Sequence, residues 1–214
     1  MVVAMGVTID EITVADEPGA WAKAGFTVDD EGVCCIGQVR VRLVGRDRGK
    51  RIIGWSLRGA PDGALADGLD GLPTTASDAP PARPGDHANG ALAVDHVVLF
   101  SPDLARTTKA IEAIGVPLRG SRDSDTYGAP MRQHFFRLGE VILELIGSPD
   151  AAGEGDPGFF GLAHTVADLD AAAALLGAHL GDAKDAVQPG RRIATLRHKE
   201  LGLSIAIALM SPDA

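Results

Sequence analysis

Two residues in the middle of the chain have the types and setting for metal-assisted chemistry. His96 sits in the apolar run ALAVDHVVLF at 91–100, and Glu144 sits in VILELIG at 141–147. An imidazole nitrogen and a carboxylate oxygen on one side of a sheet are donors that divalent metal ions accept. The same groups also have structural uses. A histidine beside Asp95 at a strand start can simply be hydrogen-bonded, and Glu144 can pair with Arg132 or Arg137. His164, in FFGLAHTVA at 159–167, is a third candidate donor. A catalytic zinc site commonly takes three protein ligands and an open position. The question is therefore whether a third donor points the same way.

Other constellations suit binding rather than catalysis. Residues 132–138 and 141–146 read as a hairpin around Gly139-Glu140. A two-residue turn there places Phe135 opposite Glu144, so Gln133, Phe135, Arg137, Ile142, Glu144 and Ile146 share one face. Apolar walls with a few polar groups suit a small organic molecule. Gln133, Phe135, Arg137 and Glu144 are thus the candidate ligand-binding residues, although a half-solvated sheet face has the same pattern. Gln188, Arg191, Arg192, Arg197 and His198 surround a Pro-Gly turn. Two guanidinium groups there could hold a carboxylate or phosphate, but a solvated turn with surface ion pairs explains them too. Ser56, Ser101 and Ser121 lie in no recognisable nucleophile setting, and Cys34 has no evident His partner. No phosphate-loop pattern occurs.

The elements that position these residues come in three copies of one plan: strand, helix opened by an acidic residue, then a hairpin-rich stretch closing on an apolar strand. In the first copy, residues 7–59, VTIDEITVA is a strand and Asp16-Glu17-Pro18 opens a helix, anchored by Trp21. Residues 33–44 read as one half-exposed strand with Arg40 and Arg42 on the outer face, and residues 52–57 as the closing strand. Residues 60–91 are rich in Gly, Pro, Asp and Ala, lack periodicity, and read as a linker. In the second copy, residues 92–149, Ser101 is the expected N-cap and Pro102 the first helical residue. Leu104, Thr108 and Ile111 share a helical face, Gly115 and Pro117 end the helix, and 118–130 is a polar stretch with Arg119, Arg122, Asp123 and Tyr127. In the third, residues 159–212, Asp168 caps a helix striped by Leu169, Ala173, Leu176 and Leu180 and stopped by Gly181, with two strands after it joined near Glu200-Leu201-Gly202. The expected organisation is an N-terminal module at 1–59, a linker at 60–91, and a two-module domain at 92–214.

Composition excludes some functions. A net charge of −9 is wrong for a general nucleic-acid binder, which needs a basic surface. No apolar run reaches the roughly 20 residues of a membrane span, and the opening Met1-Val2-Val3-Ala4-Met5 has no leader pattern, so a cytoplasmic protein is expected. The two cysteines, Cys34 and Cys35, are adjacent and read as buried or half-buried thiols.

The segments DHVVLFSPDL at 95–104, FFRLGEVILELIGSP at 135–149 and GLAHTVADLD at 161–170 resemble the vicinal oxygen chelate superfamily of glyoxalases, bleomycin-resistance proteins and extradiol dioxygenases. ITVADEP and IIGWSLRGAP match it more weakly, and AVQPGRRIATLR at 186–197 is similar to a segment of uncharacterised actinobacterial glyoxalase-like proteins. The resemblance implies an α+β fold of tandem βαβββ modules forming cupped mixed sheets, here with one additional N-terminal βαβββ-like module. It also implies metal ligands on the first and last strands of paired modules.

Register tests that implication. Aligning Asp168-Leu169 with Asp103-Leu104 sets Gly161, not His164, against His96. His164 lies three residues further on, an odd offset that turns it to the opposite face. The last strand puts Ala206, Ile207 or Ala208 where Glu144 would be, and the first copy puts Ile9 and Ser56 at the two positions. The metal assignment is then His96 and Glu144, with His164 disfavoured. A four-ligand site would need two chains to pair their second copies across a two-fold axis. The leading expectation is a glyoxalase-like protein with a degenerate metal site. It binds a small organic molecule in the cupped sheet and has no cofactor, or at most a divalent metal ion. The alternatives are a metal-dependent lyase, isomerase or dioxygenase of this superfamily, or a structural or interaction protein without ligand. An odd number of modules leaves a sheet edge that a homodimer would bury.

Overall fold

The computed structural model describes residues 6–125 and 130–213; Tyr127 and the opening five residues lie outside the described residues. The N-terminal elements are β1 (Thr8–Val14), α1 (Pro18–Lys23), β2 (Val33–Ile36), β3 (Val39–Leu43), β4 (Ile52–Arg58) and β5 (Thr74–Ser77). Then follow β6 (Ala91–Phe100), α2 (Leu104–Ala113), β7 (Gly120–Ser124), β8 (Met131–Leu138) and β9 (Val141–Gly147). The last copy has β10 (Gly158–Val166), α3 (Leu169–Leu176), β11 (Lys184–Asp185), β12 (Arg192–Thr195), α4 (His198–Leu201) and β13 (Ala206–Met210). They make a five-stranded sheet in the order β2-β3-β1-β4-β5 and an eight-stranded sheet in the order β11-β12-β13-β10-β6-β9-β8-β7. The fold is α+β with cupped mixed sheets, as the sequence predicts.

One pairing rule recurs. The first strand of a copy lies parallel to the strand that closes it: β6 to β9, β10 to β13, and β1 to β3. The closing strand of the first copy is therefore β3, not the expected 52–57. That segment, β4, lies on the other side of β1 and pairs in parallel with β5. Residues 60–91 thus contribute a strand, because a parallel pair demands a crossover and the chain between β4 and β5 supplies one through turns. The expected single strand at 33–44 is a hairpin instead. Gly37, at φ 59°, makes the reversal, and Cys35 comes opposite Arg40.

Helix boundaries shift by local capping. Asp103, not Ser101, caps α2, accepting from Arg106 N–H at 2.9 Å, while Ser101 Oγ accepts from Asp103 N–H. The buried stripe is Leu104, Thr107 and Ile111; Thr108 is half-buried, with its hydroxyl 2.8 Å from His134 Nδ1. Asp168 caps α3 as expected, accepting from Asp170 and Ala171 N–H, but Gly177 at φ 52° ends the helix before Leu180. Its buried stripe uses Ala172 rather than Ala173. The turn expected near Gly202 is a short helix, α4, closed by Gly202 in the left-handed region.

The chain divides into two compact units whose boundary passes through β1, β4, β6 and β10. Unit 1 comprises Met1–Asp10, Gly54–Pro80 and His96–Phe160; unit 2 comprises Glu11–Ile53, Pro81–Asp95 and Gly161–Ala214. In unit 1 the core is Val97, Leu99, Leu143 and Leu145, with Ile111 of α2. Each such fully buried aliphatic side chain contributes roughly 1.5–3 kcal/mol. Asp70 ties the crossover to α2, accepting from Arg106 Nε at 2.7 Å and from the Thr107 hydroxyl. In unit 2, Ile207 and Leu209 are buried, as are Leu169, Ala172 and Leu176 of α3. Trp21 of α1 is fully buried and donates from Nε1 to Asp16 at 3.2 Å. Cys34 is buried, and burial above all pushes its thiol up to about 12, so it is no nucleophile at neutral pH.

A buried ion pair fixes the start of unit 1. Asp10 takes Arg58 Nη1 at 2.6 Å, Ser77 Oγ at 2.6 Å and Ser56 Oγ at 3.3 Å. Removing one member of such a pair strands the other charge. Asp10→Ala is expected to destabilise the protein by about 3–5 kcal/mol, and Ser77→Ala by about 1 kcal/mol, measured by urea unfolding.

Candidate functional site

In unit 1 the parallel pair β6–β9 sets His96 opposite Ile142, Val98 opposite Glu144 and Phe100 opposite Ile146. The antiparallel pair β8–β9 sets Gln133 opposite Ile146, Phe135 opposite Glu144 and Arg137 opposite Ile142. Opposed residues share a face, so all nine of these side chains lie on one side of the sheet. The intervening Val97, Leu99, Leu143 and Leu145 are buried on the other side. The register expected from the Gly139-Glu140 turn is the one observed, and Gly139 adopts φ 66° there.

The polar groups on this face form a chain. Gln133 Nε2 donates to Glu144 Oε1 at 2.5 Å, and Arg122 Nε donates to Gln133 Oε1 at 2.6 Å. A guanidinium only donates and a carboxylate only accepts, so the amide orientation is fixed by its partners. Arg122 also lies over the Phe135 ring, 5.8 Å from its centroid. Val98, Phe135, Ile142 and Ile146 are half-buried, and Phe100 is 47% exposed. Arg137 is exposed and donates to Glu140 O at 3.0 Å, so it stands at the margin of the face. Chemically this is an apolar sheet with one carboxylate held in place, suited to receiving a hydrogen-bond donor beside a hydrophobic body. His134, one residue along from Gln133, points the other way to Thr108; burial, then Arg132, pushes its imidazole down.

His96 is buried on the same face as Glu144. The two stand diagonally, roughly 8 Å apart between Cα atoms from strand spacing and rise. The same register in β10 and β13 places Gly161 opposite Ala206 and Ala163 opposite Ala208. Gly161 and Ala208 are therefore the third copy's counterparts of His96 and Glu144, and neither side chain carries a donor. Counting seven residues back from each helix N-cap reaches His96, Gly161 and, in the first copy, Asp10 rather than the expected Ile9. Asp10 is committed to Arg58, and the counterpart of Glu144 there is Val41, opposite Ile12 on β3, not Ser56. The N-cap at Glu17, fixed by Pro18 at the first helical position, was the signal for this one-residue shift. Among the described residues no group of three or more His, Cys, Asp or Glu side chains is placed to share a metal ion. His96 and Glu144 are one donor short of a catalytic divalent site, so the residues do not fit that group.

His164, in unit 2, pairs with Leu209 and is fully buried. Its ring packs edge-on against Phe26 at 5.2 Å and Trp21 at 6.4 Å, and neither ring nitrogen has a hydrogen-bond partner. Burial, then His87, drives its imidazole down to about 3. The arginine cluster divides as adjacency requires. Arg191 is buried on Asp95 at 2.5 Å and donates to Ser211 O, whereas exposed Arg192 pairs with Asp170 at 3.0 Å.

Over 99% of its length the chain is similar to a solved structure of a 4-hydroxymandelate synthase mutant from Streptomyces coelicolor, of which 93% is covered, with a TM-score of 0.65 and 16% identity. The two chains share one fold. Methylmalonyl-CoA epimerase from Mycobacterium tuberculosis matches 58% of this chain and 91% of its own, at TM-score 0.46 and 22% identity. A Streptomyces coelicolor epimerase variant in complex with 2-nitronate-propionyl-CoA matches 56% and 97%, at TM-score 0.45 and 23% identity. No protein-family model matches the chain, and no curated protein sequence gives a significant match. His96 and Glu144 stand on the first and last strands, β6 and β9, of one βαβββ module. No helix among the described residues is long and apolar enough to cross a membrane.

The lowered His164 imidazole has a definite consequence. Its folded value lies below the ordinary 6.5, so its stabilising contribution is complete above that value and is lost as pH falls toward about 3. One such group changes unfolding free energy by at most about 1.4 kcal/mol per pH unit. His164→Leu is expected to melt with a shallower dependence on pH between 6.5 and 4 than the parent, as followed by thermal denaturation in a pH series.

Proposed function

We propose that the chain is a glyoxalase-like protein with a degenerate metal site, which binds a small organic molecule against the β6–β8–β9 face of unit 1. The observation that carries this reading is the state of Glu144. Its carboxylate is already bound by Gln133, which is in turn held by Arg122, and the wall around it is apolar. A ligand would lay its hydrophobic body over Val98, Phe135, Ile142 and Ile146. It would offer a hydrogen-bond donor to the remaining oxygen of Glu144, and Arg137 at the margin would meet any polar group at its outer end. The counterparts Gly161 and Ala208 support the absence of a completed coordination sphere.

The test has two arms. Protein purified without chelators is expected to carry less than stoichiometric Zn, Mn, Ni or Fe by elemental analysis. One tightly held ion per chain, lost in His96→Ala, would instead establish a metal-dependent enzyme of this fold. In a thermal-shift screen of small organic molecules, hits are expected to lose affinity about tenfold or more in Glu144→Ala or Phe135→Ala, a cost of about 1.4 kcal/mol. If no compound stabilises the parent, or hits are untouched by both substitutions, the binding role fails.

A further inference from the structure

Residues 81–90 of unit 2, ahead of β6, lie as a strap along residues 24–38. Ala82 N–H donates to Gln38 O at 3.2 Å, Gly85 N–H to Cys35 O at 2.9 Å and Asn89 N–H to Gly25 O at 3.1 Å. Asn89 Nδ2 donates to Ala24 O at 2.8 Å, and Thr27 Oγ1 to Asp86 O at 2.5 Å. Contact is close enough that a Cβ on Gly25 would come within 2.9 Å of Asn89 Cβ.

His87 stands in the middle of the strap and uses both ring nitrogens. Nδ1 lies 3.0 Å from Thr27 N, and Nε2 lies 3.0 Å from Cys35 O. An amide N–H can only donate and a carbonyl can only accept. Nδ1 must therefore be bare, and Nε2 must carry the hydrogen. The ring fits this place only when neutral, because a proton on Nδ1 would face the Thr27 N–H donor. Behind it, Phe26 contacts both His87, at 5.8 Å, and His164, at 5.2 Å.

We propose that His87 is an acid-operated latch, holding residues 81–90 against β2 while its ring is neutral and releasing them when it is protonated. The titratable groups facing it are Asp86 on the strap and His164 on β10, and β2 presents the Cys35 carbonyl. Asp86 and the Cys35 carbonyl favour the charged ring, but burial outweighs them and the imidazole is lowered. The sign follows. The latch is intact above the ordinary histidine value of about 6.5 and is lost as pH falls below it. Release frees the Cys35 carbonyl on the outer edge of β2, whose residues 33–36 read VCCI, an apolar strand edge of the kind that recruits further strands.

Hydrogen exchange in the whole protein, corrected for the intrinsic pH dependence of exchange, tests this. Between pH 7.5 and 5 the protection of the Thr27, Gly85 and Asn89 amides is expected to fall several-fold, by no more than tenfold per pH unit for a single proton. Amides of Val41 and Ile207 are expected to lose only the protection that titration of His164 removes from the whole protein, a loss that persists in His87→Gln. In His87→Gln, which cannot titrate, the strap amides should lose this pH dependence. The wild-type ring should also show the Nε2–H tautomer in its nitrogen chemical shifts at pH 7.5, a readout independent of the variant's folding. Strap protection that is flat with pH, or that falls in step with Val41 and Ile207, would overturn the latch, as would an Nδ1–H tautomer.

Discussion

The parallel register of β6 against β9 is the constraint on which the candidate site depends. Side chains alternate across a strand, so a slip of one residue would carry Glu144 to the covered side and bring Leu143 or Leu145 to the open one. What forbids the slip is burial. Val97, Leu99, Leu143 and Leu145 are all inaccessible to water, and exposing them would forfeit several kcal/mol. The hydrophobic half of the pair thereby holds the polar half in place. His96, Gln133 and Glu144 stand where they do because their neighbours cannot be anywhere else.

Much of this was legible in the sequence because it follows a two-residue period. The Gly139-Glu140 turn and the alternation on either side fixed Phe135 opposite Glu144. The same parity put His164 out of step with His96, and the pairing of His164 with Leu209 shows the side it takes. What could not be read depended on longer-range choices. Nothing local in 52–57 tells whether that strand closes the first copy or lies on the far side of β1. Both positions need the same apolar residues, and only the parallel partnership with β5 decides. The four residues TTAS of β5 carry almost no strand signal amid Gly and Pro. Alternation runs unbroken through 33–44, yet the left-handed backbone at Gly37 splits it into a hairpin.

Charge burial follows one pattern in both units. Asp10 meets Arg58 in unit 1, and Asp95 meets Arg191 and Thr165 in unit 2. In each case hydroxyl or carbonyl groups share in binding the charged pair. Such pairs add little net stability over an apolar replacement but fail badly when halved. Asp10 is also the one acidic residue that the repeat places at the position of His96, and Arg58 takes it out of service. A chelating side chain at the right place is therefore insufficient; its lone pairs must also be unclaimed.

The two ends of the eight-stranded sheet have a consequence for association. β11 is two residues long and reads Lys-Asp, and β7 reads GSRDS, with Arg132 clasping Asp123 across it. A strand arriving at either end would find too few free backbone groups and would have to strip water from fixed charges. Continuous ribbons built by adding copies at these two rims are thereby discouraged, and any neighbour must be met through loops or broad faces instead.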